Sequence, residues 1–338
     1  MRMSDFEALP WHDDHAGKPR RVGVEMEMAG IDTARIAAEV VDAVGGHFES
    51  ESAFSGTVRD TEFGDFGVEL DADVLTSRRY LGSLKAVGIE IEPGQLRNNL
   101  ENVLSRVAGL VVPHELVCPP VEVAALGRID EIRAGLCRAG AKGTQSSALY
   151  AFGLQFNVDI AECSGPHLLS VLRAFFLLFE EICEREEIDF ARKLTPFVQR
   201  FPEDFVAHVL DPDYDPDLDT LIDDYLSFTP TRNRPLDLLP LFAWIDRERV
   251  MSVPVEKNLI KPRPTWHYRV PNCLIDDPDW SLRDPWREWV AIEKMAADSD
   301  QLESAARSRL GRSSWSRRWW SALRRGFARR IERIAGDE

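Results

Sequence analysis

A ten-residue stretch near the amino terminus, Arg21-Val-Gly-Val-Glu-Met-Glu-Met-Ala-Gly30, constrains the fold most strongly. Its apolar residues recur at every second position, as Val22, Val24, Met26 and Met28. A period of two predicts a β-strand with one apolar face, and the opposite face here carries Glu25 and Glu27. These two side chains point the same way, about 7 Å apart along the strand.

The pair of glutamates favours a cation on this face. Left alone, two such carboxylates would repel each other. A hard cation such as Mg²⁺ or Mn²⁺ removes the conflict by taking oxygen ligands from both. The alternative is a half-exposed strand whose solvent face carries two glutamates. Later segments bear on the choice because they repeat the acidic pattern.

Two further segments place acids on predicted strands. The segment 65–74 alternates in the same way, and its polar face holds Glu69, Asp71 and Asp73. A solvated edge strand is the alternative there. The segment 110–120 is an apolar strand that holds one acid, Glu115, and ends in two prolines. A glutamate inside such a run is costly unless it is paired or bound to metal, so Glu115 is the more informative acid.

The clearest strand is 149–160, which has apolar residues on one side and Gln155, Asn157 and Asp159 on the other. Residues 47–62 are typical of a strand and turn region. Helical spacing of apolar residues predicts helices at 33–44 (begun at Asp32 and ended by Gly45 and Gly46), 95–110, 129–139 and 166–187. The last of these is expected to pack on the apolar side of the sheet.

Basic residues concentrate in three later segments. They are Arg192, Lys193 and Arg200 within 189–225, Arg232 and Arg234 in the loop 229–237, and Arg263 and Arg269 in the strand-like segment 261–272. Such arginines either pair with surface acids or bind phosphate, whose oxygens match the guanidinium fork. The acidic stretch 211–217 lacks the glycine and the final glutamate of a calcium loop, and it predicts a solvated turn.

Composition narrows the class of protein. The net charge of -16 argues against a general nucleic-acid surface. The five cysteines form no CxxC pair, which is typical of reduced thiols in a cytoplasmic protein. No signal peptide is readable, and no uncharged run approaches the roughly 20 residues of a membrane span.

The carboxy-terminal segment differs from the rest. Residues 301–338 hold ten arginines against four acids, and aromatic or aliphatic residues recur every fourth position from Trp315 to Ile331. This pattern predicts a basic amphipathic helix that contacts an anionic membrane or a partner through residues 307–334, or docks on the acidic body. The predicted division is a leader at 1–19, a catalytic domain at 20–297 and this tail at 298–338.

The order of these motifs resembles the amidoligase family. The shared features are the acidic strands, the two prolines after Glu115, the strand Tyr150-Ala-Phe-Gly-Leu-Gln-Phe-Asn157, the Thr-Arg-Asn-Arg loop, and the closing Arg-Pro-Thr-Trp-His-Tyr-Arg-Val-Pro-Asn. The resemblance runs from about residue 20 to about 295. It implies an α+β fold of the glutamine synthetase type, in which an antiparallel sheet has an acidic concave face and helices on its other face.

The resemblance also implies ATP, Mg²⁺ (or Mn²⁺) and roles for individual residues. Glu25, Glu27, Glu115 and Glu69 would be metal ligands. Arg269 and Glu69 would act in the reaction, and the nucleotide would be bound by Gln155, Asn157, Lys193, Arg232, Arg234 and Arg263. Relatives often have histidine where Gln155 stands. A neutral amide is neither acid nor base, so Gln155 would position the ligand.

The implied reaction joins a carboxylate to an amine through an acyl phosphate, with ATP as the phosphoryl donor. Its partners would be small-molecule or peptide substrates, with a glutamine amidotransferase as a further candidate. Two alternatives remain open. Water as the acceptor would make the same site a phosphohydrolase. A non-catalytic scaffold would instead work through the basic helix.

Overall fold

A computed structural model describes residues 6–52, 54–70, 114–144, 153–187 and 199–309. The predicted helix 95–110, Asp71, Asp73, Lys193 and the aromatic basic stretch from 310 onwards lie outside these ranges. The chain divides into two compact units. The first comprises Met1–Ala161, Ile182–Arg200 and Pro230–Val290, and the second comprises Glu162–Glu181, Phe201–Thr229 and Ala291–Glu338.

The first unit is built on an antiparallel sheet of eight strands, counted over the described residues. The strands are β1 Arg21–Met28, β2 His47–Ser50, β3 Ser55–Thr61, β4 Gly64–Leu70, β5 His114–Val117, β6 Val121–Glu122, β7 Leu154–Asp159 and β8 Thr265–Tyr268. Their order is β2-β3-β4-β5-β1-β7-β8, and β6 also pairs with β1. A mixed fold of helices and an antiparallel sheet, the predicted α+β class, is thereby confirmed.

Strand β1 lies inside the sheet, between β5 and β7. The four apolar side chains predicted to share one face are fully buried: Val22, Val24, Met26 and Met28. Beyond β5, the Cys118 amide still donates to the Val24 carbonyl at 2.8 Å, and β6 then continues along β1. Pro119 and Pro120 interrupt the pairing with β1 between β5 and β6, because proline has no N–H to donate to a neighbouring strand.

The first three of the described helices correspond to the predicted segments 33–44, 129–139 and 166–187. The described helices are α1 Thr33–Val44, α2 Leu126–Ala139, α3 Gly165–Arg185, α4 Glu203–Val209, α5 Leu218–Phe228, α6 Leu239–Ile245, α7 Arg247–Ser252 and α8 Arg283–Ala297. Short 3₁₀ turns occupy Val123–Ala125 and Lys257–Leu259. Helix α2 begins three residues before its predicted start at Ile129, because the preceding 3₁₀ turn runs directly into it.

Helix α1 shows why the chain turns where it does. Asp32 caps its first turn by accepting from the Arg35 amide at 2.8 Å. Gly45 ends it with φ 75°, a conformation that glycine adopts without strain. Gly46 follows at φ 90°, and a Cβ there would lie 2.3 Å from the Arg59 carbonyl oxygen. Glycine is therefore required where the helix passes into strand β2.

Aromatic side chains of α8 cover the apolar face of β7 and β8. The Trp286 ring packs edge-on against Phe156 with centroids 5.6 Å apart. The Trp289 ring lies 5.5 Å from that of Tyr268. Such tilted pairs are favourable because ring edges meet ring faces. The core of the first unit therefore lies between this face of the sheet and the helices.

The second unit is helical in its described part, with residues 165–181 of α3, all of α4 and α5, residues 291–297 of α8, and helical residues 299–309. The Arg173 side chain donates to three backbone carbonyls, those of Val209, Asp211 and Tyr214, each at 2.7 Å. This clamp holds the acidic stretch 211–217. Its aspartates are exposed and it contains a turn, as predicted.

The structure bears on two predictions, one about disulfide bonds and one about membrane-spanning helices. None of the five cysteines, all in described segments, forms a disulfide. Within the described ranges, no helix combines the length and apolar character needed to cross a membrane.

Candidate functional site

Three predicted metal ligands form a row across neighbouring strands. Glu27 on β1 is the partner of Glu115 on β5, and Glu115 is the partner of Glu69 on β4. Directly opposed residues of an antiparallel pair project from the same face of the sheet. Glu27 and Glu115 are partly buried and Glu69 is exposed. Strand pairing thus aligns acids that are far apart in the sequence, and we call this set the carboxylate row.

Strand β7 binds the two glutamates of β1 from the other side. The Asn157 side-chain amide donates to Glu25 Oε1 at 2.7 Å. The Gly153 backbone amide, just before β7, donates to Glu27 Oε2 at 2.7 Å. Gln155 is the strand partner of Glu25. One oxygen of each β1 carboxylate is therefore held in place by a hydrogen bond from the β7 side.

His267 on β8 is a site residue that the sequence reasoning missed. It is 1% exposed. Its Nδ1 lies 3.2 Å from a terminal nitrogen of Arg263, and its Nε2 lies 2.6 Å from Gln155 Oε1. Arg263 also approaches Glu25, at 3.7 Å. The one available signal was that His267 occupies the polar side of a strand whose neighbours are Trp266 and Tyr268.

Three arginines lie near the His267 ring, and the Asp237 carboxylate lies 3.9 Å from its Nδ1. Burial is the main reason that the pKa of His267 lies well below its usual value, and Arg269, Arg263 and Arg232 lower it further. Both effects disfavour the charged imidazolium. The ring is therefore neutral at physiological pH and offers one donor and one acceptor.

Asp237 is a second residue that sequence reasoning did not select. Its side chain is fully buried. It accepts from the Leu239 amide at 3.0 Å and from Arg232 Nε at 3.3 Å. Burial raises the pKa of Asp237, and the nearby positive charges of Arg232 and Arg269 oppose that rise. Arg232 thus pairs with an internal acid, whereas the sequence suggested a surface acid or phosphate.

The remaining predicted basic residues have different surroundings. Arg269 donates to the Arg232 carbonyl at 2.9 Å. Arg234 is buried and donates to the backbone carbonyls of Arg200 and Gln199. Its contacts hold the loop 229–237 against the neighbouring chain segment. Lys193 lies outside the described residues.

The oxygen donors near β1 suit a hard cation, but they are not gathered into a finished metal site. Among the described side chains, no group of three or more His, Cys, Asp or Glu is arranged to hold a metal ion. Asn157 Oδ1, on the side chain that binds Glu25, is buried and has no hydrogen-bond partner. A carboxamide oxygen of this kind is a ligand that Mg²⁺ accepts.

Comparison with known proteins gives one match. A family model described as "Putative amidoligase enzyme" matches residues 18–291, the greater part of the chain. Neither the curated proteins nor the solved structures contain a match to this sequence.

Proposed function

The chain belongs to this amidoligase family, and from that premise we propose that it is an ATP- and Mg²⁺-dependent carboxylate–amine ligase. We further propose that its sheet is a catalytic sheet of the glutamine synthetase type, with the carboxylate row on the working face. The observation that carries the proposal is the register Glu27–Glu115–Glu69, beside Glu25 on the same strand β1.

The donor set supports Mg²⁺ as the metal. Carboxylate and carboxamide oxygens are hard ligands, which Mg²⁺ prefers over nitrogen or sulfur. Glu25, Glu27, Glu115 and Glu69 would hold the ion, and the unpartnered Asn157 Oδ1 fits the same role. Bound Mg²⁺ would supply positive charge that offsets the negative charge of the phosphates.

The arginines on the β8 side support an anionic ligand. The positive charges of Arg263 and Arg269 lower the pKa of His267. Arg263 also lies 3.7 Å from Glu25, beside the carboxylate row. A guanidinium group binds phosphate oxygens through two parallel hydrogen bonds. A proposed phosphate-binding group therefore lies close to the proposed metal ligand Glu25.

The proposed reaction has two steps. A substrate carboxylate oxygen attacks the γ-phosphorus of ATP, and the bond to the bridging oxygen breaks to release ADP. An amine then attacks the carbonyl carbon of the acyl phosphate, and inorganic phosphate and one proton leave. Arg263 and Arg269 would stabilise negative charge on the transferred phosphoryl group. Gln155 would orient the phosphates.

Ligand-dependent thermal stability tests this proposal. The melting temperature is measured without ligand, with Mg²⁺ alone and with Mg²⁺·ATP, for the wild type and for Glu27→Gln. Ligand at about a hundred times its Kd stabilises the folded state by roughly 2.7 kcal/mol. We expect a shift in the wild type and its loss in Glu27→Gln. Glutamine keeps the acceptor oxygen for the Gly153 amide, so the variant should fold.

A matched control is Glu122→Gln. This exposed glutamate is the partner of Arg21 at the opposite end of β1, away from the carboxylate row. It should leave the Mg²⁺·ATP shift unchanged. An equal shift in Glu27→Gln and the wild type would refute the carboxylate row as the nucleotide site. Hydroxylamine trapping of an acyl phosphate then separates a ligase from a phosphohydrolase, which releases phosphate without an amine.

A further inference from the structure

A chain of hydrogen bonds crosses from β8 to β7 and has a fixed direction. An arginine side chain has donors and no acceptor, so Arg263 must donate to His267 Nδ1, 3.2 Å away. A neutral imidazole that accepts at Nδ1 carries its proton on Nε2. His267 Nε2 must therefore donate to the atom it faces, which is Gln155 Oε1 at 2.6 Å.

This direction determines how the Gln155 amide is turned. Because Oε1 accepts from His267, the NH₂ group at the other end of the planar carboxamide must point away from His267. Gln155 is the strand partner of Glu25, so the two side chains share a face of the sheet. That face carries the carboxylate row. The amide nitrogen, with two donors, is the end that Gln155 offers to a ligand.

We propose that His267 is a positioning residue, which holds Gln155 so that its NH₂ group donates to an anionic oxygen of the ligand. This inference rests on the proposed function, in which the ligand is Mg²⁺·ATP and the anionic oxygen belongs to a phosphate. Gln155 then does not bind the metal through its oxygen. The role of His267 is indirect, because the ring contacts Gln155 and Arg263.

Asn157 provides the contrast on the same strand. Its nitrogen donates to Glu25 Oε1, and its oxygen is buried without a partner. Two residues apart on β7, the amides thus present opposite ends: Asn157 an acceptor and Gln155 a donor. The acceptor oxygen of Asn157 suits a cation, whereas the donor nitrogen of Gln155 suits an anion. The site is therefore polarised along β7.

The first test needs no ligand. Nitrogen-15 NMR of the imidazole rings in the full chain distinguishes the two neutral tautomers and the imidazolium, and His267→Gln identifies the His267 signals by their loss. We expect Nε2 protonated and Nδ1 unprotonated at neutral pH. A proton on Nδ1 alone would overturn the proposal, because Nε2 would then accept a hydrogen bond from the Gln155 NH₂ group and the amide would be turned the other way.

The second test measures Mg²⁺·ATP and Mg²⁺ binding by calorimetry in Gln155→Glu. The added carboxylate still accepts from His267 but replaces the NH₂ donors with negative charge. We expect Mg²⁺·ATP to bind about tenfold more weakly or worse. Equal or tighter binding of Mg²⁺·ATP would mean that the side chain at 155 meets the metal, and it would overturn the proposal.

Variants of His267 complete the test. His267→Gln keeps a side-chain donor near Gln155 and should retain most of the affinity for Mg²⁺·ATP. His267→Leu removes it and should weaken binding about tenfold, with folding checked by circular dichroism. Equal affinity in a folded His267→Leu would count against the positioning role. A wild type with the expected tautomer but no binding of Mg²⁺·ATP would support the oriented amide and refute the proposed function.

Discussion

At the scale of single residues, burial decides which groups are charged, and Glu288 on α8 is the strongest case. It is 1% exposed, and the Tyr268 hydroxyl donates to it at 3.2 Å. Burial, reinforced by the negative charge of Glu186, raises the pKa of Glu288 to about 8. Arg185, 3.9 Å away, opposes the rise only in part. The carboxyl is therefore largely protonated at neutral pH.

This raised pKa predicts that the free energy of unfolding falls as pH rises from about 5 to 8. In that window the folded state keeps the Glu288 proton and the unfolded state has lost it, so the slope is negative and at most about 1.4 kcal/mol per pH unit. Denaturant unfolding between pH 5 and 8 measures it. Glu288→Gln keeps an acceptor for Tyr268 and should flatten the dependence.

Asp284→Asn serves as the control for that prediction. Asp284 lies one helical turn before Glu288 on α8, and its side chain is 55% exposed. The charge of Asp284 is the smallest of the effects on the pKa of Glu288, so its removal should keep most of the negative slope. A wild-type stability that rises between pH 5 and 8, or an unchanged slope in Glu288→Gln, would contradict the assigned charge state.

At the scale of elements, helix ends and strand breaks follow from local chemistry. Asp32 begins α1 and Gly45 ends it, both as the sequence predicted. Asp217 begins α5 in the same way, by accepting from the Thr220 amide at 2.8 Å. Pro119 and Pro120 separate β5 from β6. Each boundary depends on a hydrogen bond that one residue type makes or cannot make.

The cap of α1 predicts a measurable loss of stability. Asp32→Ala removes the side-chain acceptor of the Arg35 amide and should lower the free energy of unfolding by about 1 kcal/mol. Asp42→Ala, on an exposed position of the last turn of the same helix, is the matched control. An acid near a helix carboxy terminus is unfavourable, so this control should be neutral or slightly stabilising. Equal losses in both variants would disprove the capping role.

At the scale of the whole molecule, charge is divided unevenly along the chain. Residues 301–338 carry a net charge of +6 in a protein whose total is -16. The family match ends at residue 291, before this segment begins. We propose that the basic, aromatic stretch contacts an anionic membrane surface, because cationic amphipathic segments bind anionic lipids through charge and inserted aromatic rings.

Sedimentation with lipid vesicles tests this proposal on the intact protein. The full chain should bind vesicles that contain anionic phosphatidylglycerol, and binding should weaken as salt is added because salt screens the charges. A chain truncated after Arg309 keeps the described helical residues 299–309 and should not bind. Neutral phosphatidylcholine vesicles are the control. Equal binding of the full and truncated chains would mean that residues before 310 contact the membrane. No binding by the full chain would refute the proposal.

The sequence by itself determined many of the strands and helices, several of their ends, and the candidate acidic residues. Periodicity predicted β1, β4, β5, β7, β8 and helices α1 to α3, since backbone geometry forces alternation in strands and a 3.6-residue repeat in helices. Glycine, proline and aspartate marked where elements begin and end. The same alternation identified Glu25, Glu27, Glu69 and Glu115 as candidates. Their role as metal ligands is still a prediction.

Only the tertiary structure decided which of these residues meet. Glu69 and Glu115 are neighbours because β4 pairs with β5, and no local pattern encodes the pairing of distant strands. His267 and Asp237 became informative only when burial removed them from water, since desolvation is the main cause of their pKa shifts. The direction of the Gln155 amide likewise depends on Arg263, more than a hundred residues away. Local structure follows from the sequence, whereas charge states and hydrogen-bond directions depend on which distant residues the fold brings into contact.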